Sequence, residues 1–284
     1  MEHTKTRKLV ESAIMIALAT VLSLLKLADL PYGGSVTLAS MLPIALIAYR
    51  NGLGWGLGSG LAYGVLQQLL GLKTLTYVTG AGSVIAVILL DYIIAFTVMG
   101  LAGIFRRTPM PQAASLTVGV VFSCALRYIC HVISGATVWA GLSIPTTAVL
   151  AYSLAYNATY MIPETIVTAL AAFYIASLID FREVRIRRMT REKFGVGGYL
   201  LLAGSLLMLA GAIYDIVALF SHMQDPDSGT FNITLIGTSG IWLPVVIVTA
   251  AVVLVFAVLL IVGLRLQAKE RAGAGDADTL DKQA

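Results

Sequence analysis

The sequence predicts an all-α polytopic membrane protein of about eight embedded helices: a six-helix bundle followed by a transmembrane hairpin. Three observations predict it. Of 284 residues, 58% are hydrophobic and only 12% charged, with mean hydropathy +0.88, whereas soluble domains run near a quarter charged. The apolar residues come in runs of about 20, long enough to cross a hydrocarbon core about 30 Å thick. The charges collect between the runs, and the basic ones collect beside alternate runs.

Taken in order, apolar segments occupy 8–27, 38–50, 52–71, 82–105, 113–138, 148–180, 198–220 and 239–265. The first follows Lys5-Thr-Arg-Lys8 and reads as an uncleaved transmembrane helix, because no small-residue cleavage site follows it. The second is too short for a full perpendicular span and predicts a tilted or partly spanning helix. Lys5, Arg7, Lys8, Arg50, Arg106, Arg107, the bases of 182–193, Arg265, Lys269, Arg271 and Lys282 fall on one side of an eight-span topology. Lys26 and Lys73 fall on the other, and Arg127 lies within a span. The positive-inside rule then places both termini in the cytoplasm of a plasma membrane.

The chain divides into a six-helix unit at 1–180, a basic cytoplasmic linker at 181–197, a further transmembrane hairpin at 198–267 and a disordered polar tail at 268–284. The linker is compatible with an interfacial helix. Net charge is +4, but the bases sit where they set topology and meet anionic headgroups, so nucleic-acid binding is a poor reading. Cys124 and Cys130 stand six apart in an apolar run without metal-ligand spacing, which predicts free core thiols. Neither metal nor cofactor is expected. The sequence contains no Gly-x-x-x-x-Gly-Lys-Ser/Thr phosphate loop, no His-Glu-x-x-His and no Gly-x-Ser-x-Gly, so no route to ATP hydrolysis or to those hydrolases is visible.

Ionisable groups within a bilayer are costly and point to partners or function. At about 1.5 Å per residue, Asp91 lies roughly 13 Å into the fourth segment, His131 roughly 12 Å into the fifth and Asn157 roughly 13 Å into the sixth, all measured from the outer face. A carboxylate, an imidazole and an amide thus share one level, with Trp139 and Tyr152 nearer the surface. Such a set suits a small cationic heteroaromatic ligand, since aromatic faces attract cations and stack on flat rings. An interfacial aromatic belt explains Trp139 and Tyr152 equally well. Arg127 and Glu164, deeper and on adjacent helices, read as a structural ion pair. Asp215 reads as reaching water at the end of helix seven, and Tyr156 and Tyr160 as bundle packing. Ala13 and Ala17, four apart on helix one, form a small-xxx-small pair that permits close helix approach.

Several stretches together resemble the thiamine-specific S-component of energy-coupling factor transporters. They are Gly33-Gly-Ser-Val-Thr37 with Met41-Leu-Pro43, Tyr49-Arg-Asn-Gly52, Leu89-Leu-Asp-Tyr-Ile-Ile-Ala-Phe96, Arg127-Tyr-Ile-Cys-His-Val-Ile-Ser-Gly135 and Tyr152-Ser-Leu-Ala-Tyr-Asn-Ala-Thr-Tyr-Met161. The resemblance covers about 1–180. It implies a six-helix membrane subunit that captures thiamine from outside and works with a transmembrane coupling subunit and two ATPase subunits. It also implies a ligand-binding set of Asp91, Tyr92, His131, Gly135, Trp139, Tyr152 and Asn157, and docking on the coupling subunit through Ala13 and Ala17.

The chain departs from the family pattern in two places. The loop 28–37 has no Trp to serve as an aromatic lid and offers only Tyr32, and the hairpin 198–267 lies outside the resemblance. Other readings are an S-component for another vitamin or a thiamine precursor, a membrane-embedded enzyme using Asp91 and His131 as acid and base, and a non-catalytic assembly subunit.

Overall fold

The computed structural model describes residues 2–30, 33–142, 149–183, 187–188, 195–223, 235 and 240–281. Every predicted apolar segment contains a helix: α1 (Glu2–Leu24), α2 (Leu42–Asn51), α3 (Leu53–Leu70), α4 (Ala81–Arg107), α5 (Gln112–Thr137), α6 (Val149–Leu178), α7 (Val196–Met223) and α8 (Trp242–Asp281). Of these, α4 to α8 are long and apolar enough to cross a membrane by length and composition. Large apolar side chains such as Ile14, Leu69 and Leu254 lie exposed on the outer surface, as lipid-facing positions do, because acyl chains are as apolar as leucine.

The short second segment is a ten-residue helix buried at the centre of the bundle, with every residue but Arg50 out of solvent. At about 1.5 Å per residue it crosses only half a hydrocarbon core. The other half is covered by an antiparallel hairpin, β1 (Lys26–Asp29) with β2 (Ser35–Thr37), in a stretch expected as the end of the first apolar segment and a loop. β2 carries the chain down to mid-depth before α2 begins. Backbone groups at that depth must be satisfied inside the protein. Glu164 of α6 does this, accepting from the Thr37 amide at 2.5 Å and from Thr37 Oγ1 at 2.7 Å.

Tight helix contacts around α2 are made by small residues. A Cβ on Gly119 would lie 1.9 Å from the Ala102 carbonyl oxygen, and one on Gly103 would lie 2.2 Å from that of Ala48. Close approach of this kind substitutes for hydrophobic driving force between helices in lipid. The apolar interior has two parts. One surrounds α2, with Tyr49, Tyr63, Met99 and Leu116. The other contains Leu30, Val36, Trp139, Tyr156, Tyr160 and Met161 beneath the β1–β2 hairpin.

At the end away from that hairpin, arginines tie the helix ends together. Arg50 pairs with Glu11 and donates to the Glu183 carbonyl at 3.1 Å. Arg182 donates to Tyr49 Oη at 3.1 Å and to the Met110 carbonyl at 3.0 Å. A short strand pair spans the start of the linker, β3 (Ile179–Asp180) just before it with β4 (Arg187–Arg188) inside it, and no interfacial helix is found among the linker's described residues. The tail also departs from expectation: α8 continues through 268–281, where Ala, Lys, Glu and Arg keep helix propensity after the apolar run ends. Tyr32 lies outside the described residues.

Candidate ligand-binding site

Beneath the β1–β2 hairpin and the turn Leu72–Tyr77 lies a cavity of about 240 Å³, walled by α3, α4, α5 and α6. Asp91 occupies its side. This residue belongs to a π-helical stretch, Ile88–Ile94, within α4. Such local widening of a helix recurs at functional sites because it re-aims a side chain.

Three donors from α5 and its C-terminal end converge on the Asp91 carboxylate. His131 Nδ1 meets Oδ1 at 2.9 Å, Ser134 Oγ donates to Oδ2 at 2.6 Å, and Trp139 Nε1 donates to Oδ2 at 3.1 Å. With the proton on Nδ1, the carboxylate fixes the imidazole tautomer and leaves Nε2 as a lone-pair acceptor. That nitrogen is buried in a cavity-lining residue and has no partner among the described residues.

Asn157 joins the two walls. Its Nδ2 donates to the carbonyls of Ser153 at 2.9 Å and His131 at 3.3 Å, while Oδ1 accepts from Tyr160 Oη at 2.6 Å. The helices approach closely there because Gly135 has no side chain. A Cβ on it would stand 2.2 Å from Ser153 Oγ and 3.2 Å from Asn157 Nδ2. Tyr92 lines the cavity and ties the roof to α4, donating to Thr74 Oγ1 at 3.0 Å.

The structure therefore brings Asp91, Tyr92, His131, Gly135, Trp139 and Asn157 to one cavity, from α4, α5 with its C-terminal end, and α6. Tyr152 does not reach the lining; it packs against the aromatic cluster behind it. Tyr156 and Tyr160, read from the sequence as packing, both line the cavity and also stack edge-on at 5.9 Å. Ser134 was missed, although it stands three residues beyond His131, on the same helical face.

The floor corrects a second expectation. Arg127 and Glu164 both line the cavity but form no ion pair; the two Glu164 oxygens accept from Thr37 instead. The Arg127 guanidinium instead lies over the Phe96 ring, 4.6 Å from its centroid. Its Nε and Nη1 are buried without a hydrogen-bond partner among the described residues. In formal charge, the two carboxylates Asp91 and Glu164 are balanced within the lining by Arg127 and Lys26. At the rim, Lys26 also pairs with Asp29 at 2.9 Å.

Fold and site together define a multi-pass helical membrane protein with an internal, aromatic-walled cavity that holds a hydrogen-bonded carboxylate. The family described as thiamine transporter protein (Thia_YuaJ) matches residues 9–180, and the chain belongs to that family. Two curated relatives bear the name thiamine transporter ThiT. The one from Bacillus subtilis (strain 168) is 37% identical over 174 residues, 57% of this chain and 86% of the relative. The one from Lacticaseibacillus paracasei is 28% identical over 185 residues, 59% and 85% of the two chains. The solved structure of ThiT from Listeria monocytogenes shares the fold, with TM-score 0.51 and 22% identity over 61% of this chain and 94% of that one.

Proposed function

We propose that the chain is the thiamine-capturing S-component of an energy-coupling factor transporter in a bacterial cell membrane. Its termini lie in the cytoplasm and its cavity faces outside. The observation that carries this reading is the aromatic-walled cavity centred on the Asp91 carboxylate, within the segment that matches the family.

A desolvated cation needs a counter-charge, which Asp91 supplies to the ligand's positively charged ring. Trp139 and the tyrosines of α6 offer ring faces. His131 Nε2 accepts a hydrogen bond, and Asn157 Oδ1 offers its second lone pair. Tyr152 supports the ring wall from behind.

Uptake would be driven by a coupling subunit and two ATPase subunits, and the ligand would be released unchanged instead of being turned over. Ala13 and Ala17, exposed on α1, would meet the coupling subunit through close helix contact.

The test is thiamine binding to the purified full chain, read as quenching of intrinsic Trp fluorescence. Saturable quenching at nanomolar concentrations, abolished in a folded Trp139→Ala variant, is expected. Absence of binding would reject thiamine, and competition with its pyrimidine and thiazole fragments would show which ring the cavity selects.

A further inference from the structure

The family match ends at residue 180, yet the hairpin that follows reaches the cavity wall. α7 lies along α6. Toward the basic end, Tyr174 Oη donates to the Leu201 carbonyl at 3.4 Å. Toward the cavity end, Ile216 of α7 and Trp242 of α8 pack against the buried cluster that joins Trp139, Tyr156, Tyr160 and Met161 to Leu30, Val36, Val78 and Val87.

A buried polar contact sets the rotation of both helices. Asp215, expected to reach water, is only 4% exposed, and both its oxygens lie 2.9 Å from Thr249 Oγ1. Trp242, Val245 and Thr249 follow at i, i+3 and i+7 and share one face of α8, and Val245 is buried. Gly211 brings the helices together, since a Cβ there would lie 2.9 Å from Val252 Cγ1. A plain anchor needs only apolar length. This hairpin has a fitted seam that aims two apolar side chains at the site.

α6 has reason to need lateral support. Pro163 lies within it and has no N–H to extend the helical ladder, so the segment on its N-terminal side is less firmly coupled to the rest. That segment, 149–162, carries Tyr152, Tyr156, Asn157 and Tyr160. On one side α5 holds it through Ser153 and Asn157. We propose that the α7–α8 hairpin is a positioning element of the site: Ile216 and Trp242 hold 149–162 against the cavity and slow release of the bound ligand. The second half of this statement rests on the thiamine reading above; the first does not.

The test compares hydrogen–deuterium exchange in the full chain for wild type, Trp242→Ala, Trp242→Phe and Leu254→Ala. Leu254 is a lipid-facing control, 68% exposed. The expected result is exchange several-fold faster over 149–162 in Trp242→Ala, unchanged over 42–70, restored by Trp242→Phe and unaffected by Leu254→Ala. Unchanged exchange over 149–162 would overturn the inference whether or not thiamine binds. Faster exchange throughout the bundle, not restored by Phe, would overturn it as well, because it marks lost folding. Thiamine release from Trp242→Ala should be about tenfold faster with association little altered; unchanged release would overturn the retention role. Failure of the wild type to bind thiamine counts against the proposed function, and the exchange result alone then decides the positioning role.

Discussion

Asp91 is the residue on which the site turns, because three donors from another segment of chain converge on one carboxylate held in an apolar bundle. Replacing it by Asn keeps the volume and removes the charge. Thiamine affinity in Asp91→Asn should fall about a hundredfold, since charge-assisted bonds contribute about 1.5–3 kcal/mol and each 1.4 kcal/mol is tenfold. Calorimetric titration measures this, and a retained melting temperature of the ligand-free variant separates it from unfolding. Gly135 acts differently, by permitting contact. Gly135→Ala should weaken binding about tenfold by displacing Ser153 and Asn157, and adding Ser153→Ala should recover part of that loss by vacating the Oγ position. Asp91, His131 and Asn157 were legible from depth alone. Ser134 and Arg127 were not, because depth does not say which way a side chain turns.

Among elements, the short α2 and the β1–β2 hairpin are two halves of one solution. A ten-residue helix cannot cross the membrane alone, so irregular backbone must descend to meet it, and its polar groups must find partners there. Glu164 is that partner, which accounts for a carboxylate at mid-depth without an arginine bound to it. Glu164→Leu would strand the Thr37 amide and should cost about 1–3 kcal/mol of stability, read as a lower melting temperature in ligand-free protein. Glu164→Gln retains one carbonyl acceptor and should cost less. Apolar length revealed α2 as an incomplete span. The hairpin stayed invisible because its strands are short and are defined by pairing with each other.

For the whole molecule, the arginine-rich end and the cavity end are opposite poles of the bundle, and the proposed sidedness follows from their charge. In cells expressing a variant with Cys124 and Cys130 replaced, Thr76→Cys should react with an impermeant maleimide from outside. Glu183→Cys should react only after lysis. The reverse pattern would invert the topology and close the cavity to external ligand. Both positions are exposed, so accessibility reports the side and not burial.

By itself the sequence determined the membrane class, the embedded segments, the asymmetry of charge and the level at which polar groups gather. These are legible because the bilayer penalises each polar group wherever it stands along the chain, so hydropathy and charge carry the information locally. Only the tertiary structure decided the partners. Thr37 and Glu164 are 127 positions apart, and Asp215 meets Thr249 across two helices. Tyr156 and Tyr160, which read as bundle packing, also face a cavity. Helical periodicity defines faces only up to a rotation of each helix about its axis. That rotation is set by close packing at glycines and by buried hydrogen bonds between segments far apart in the chain, which no local pattern records.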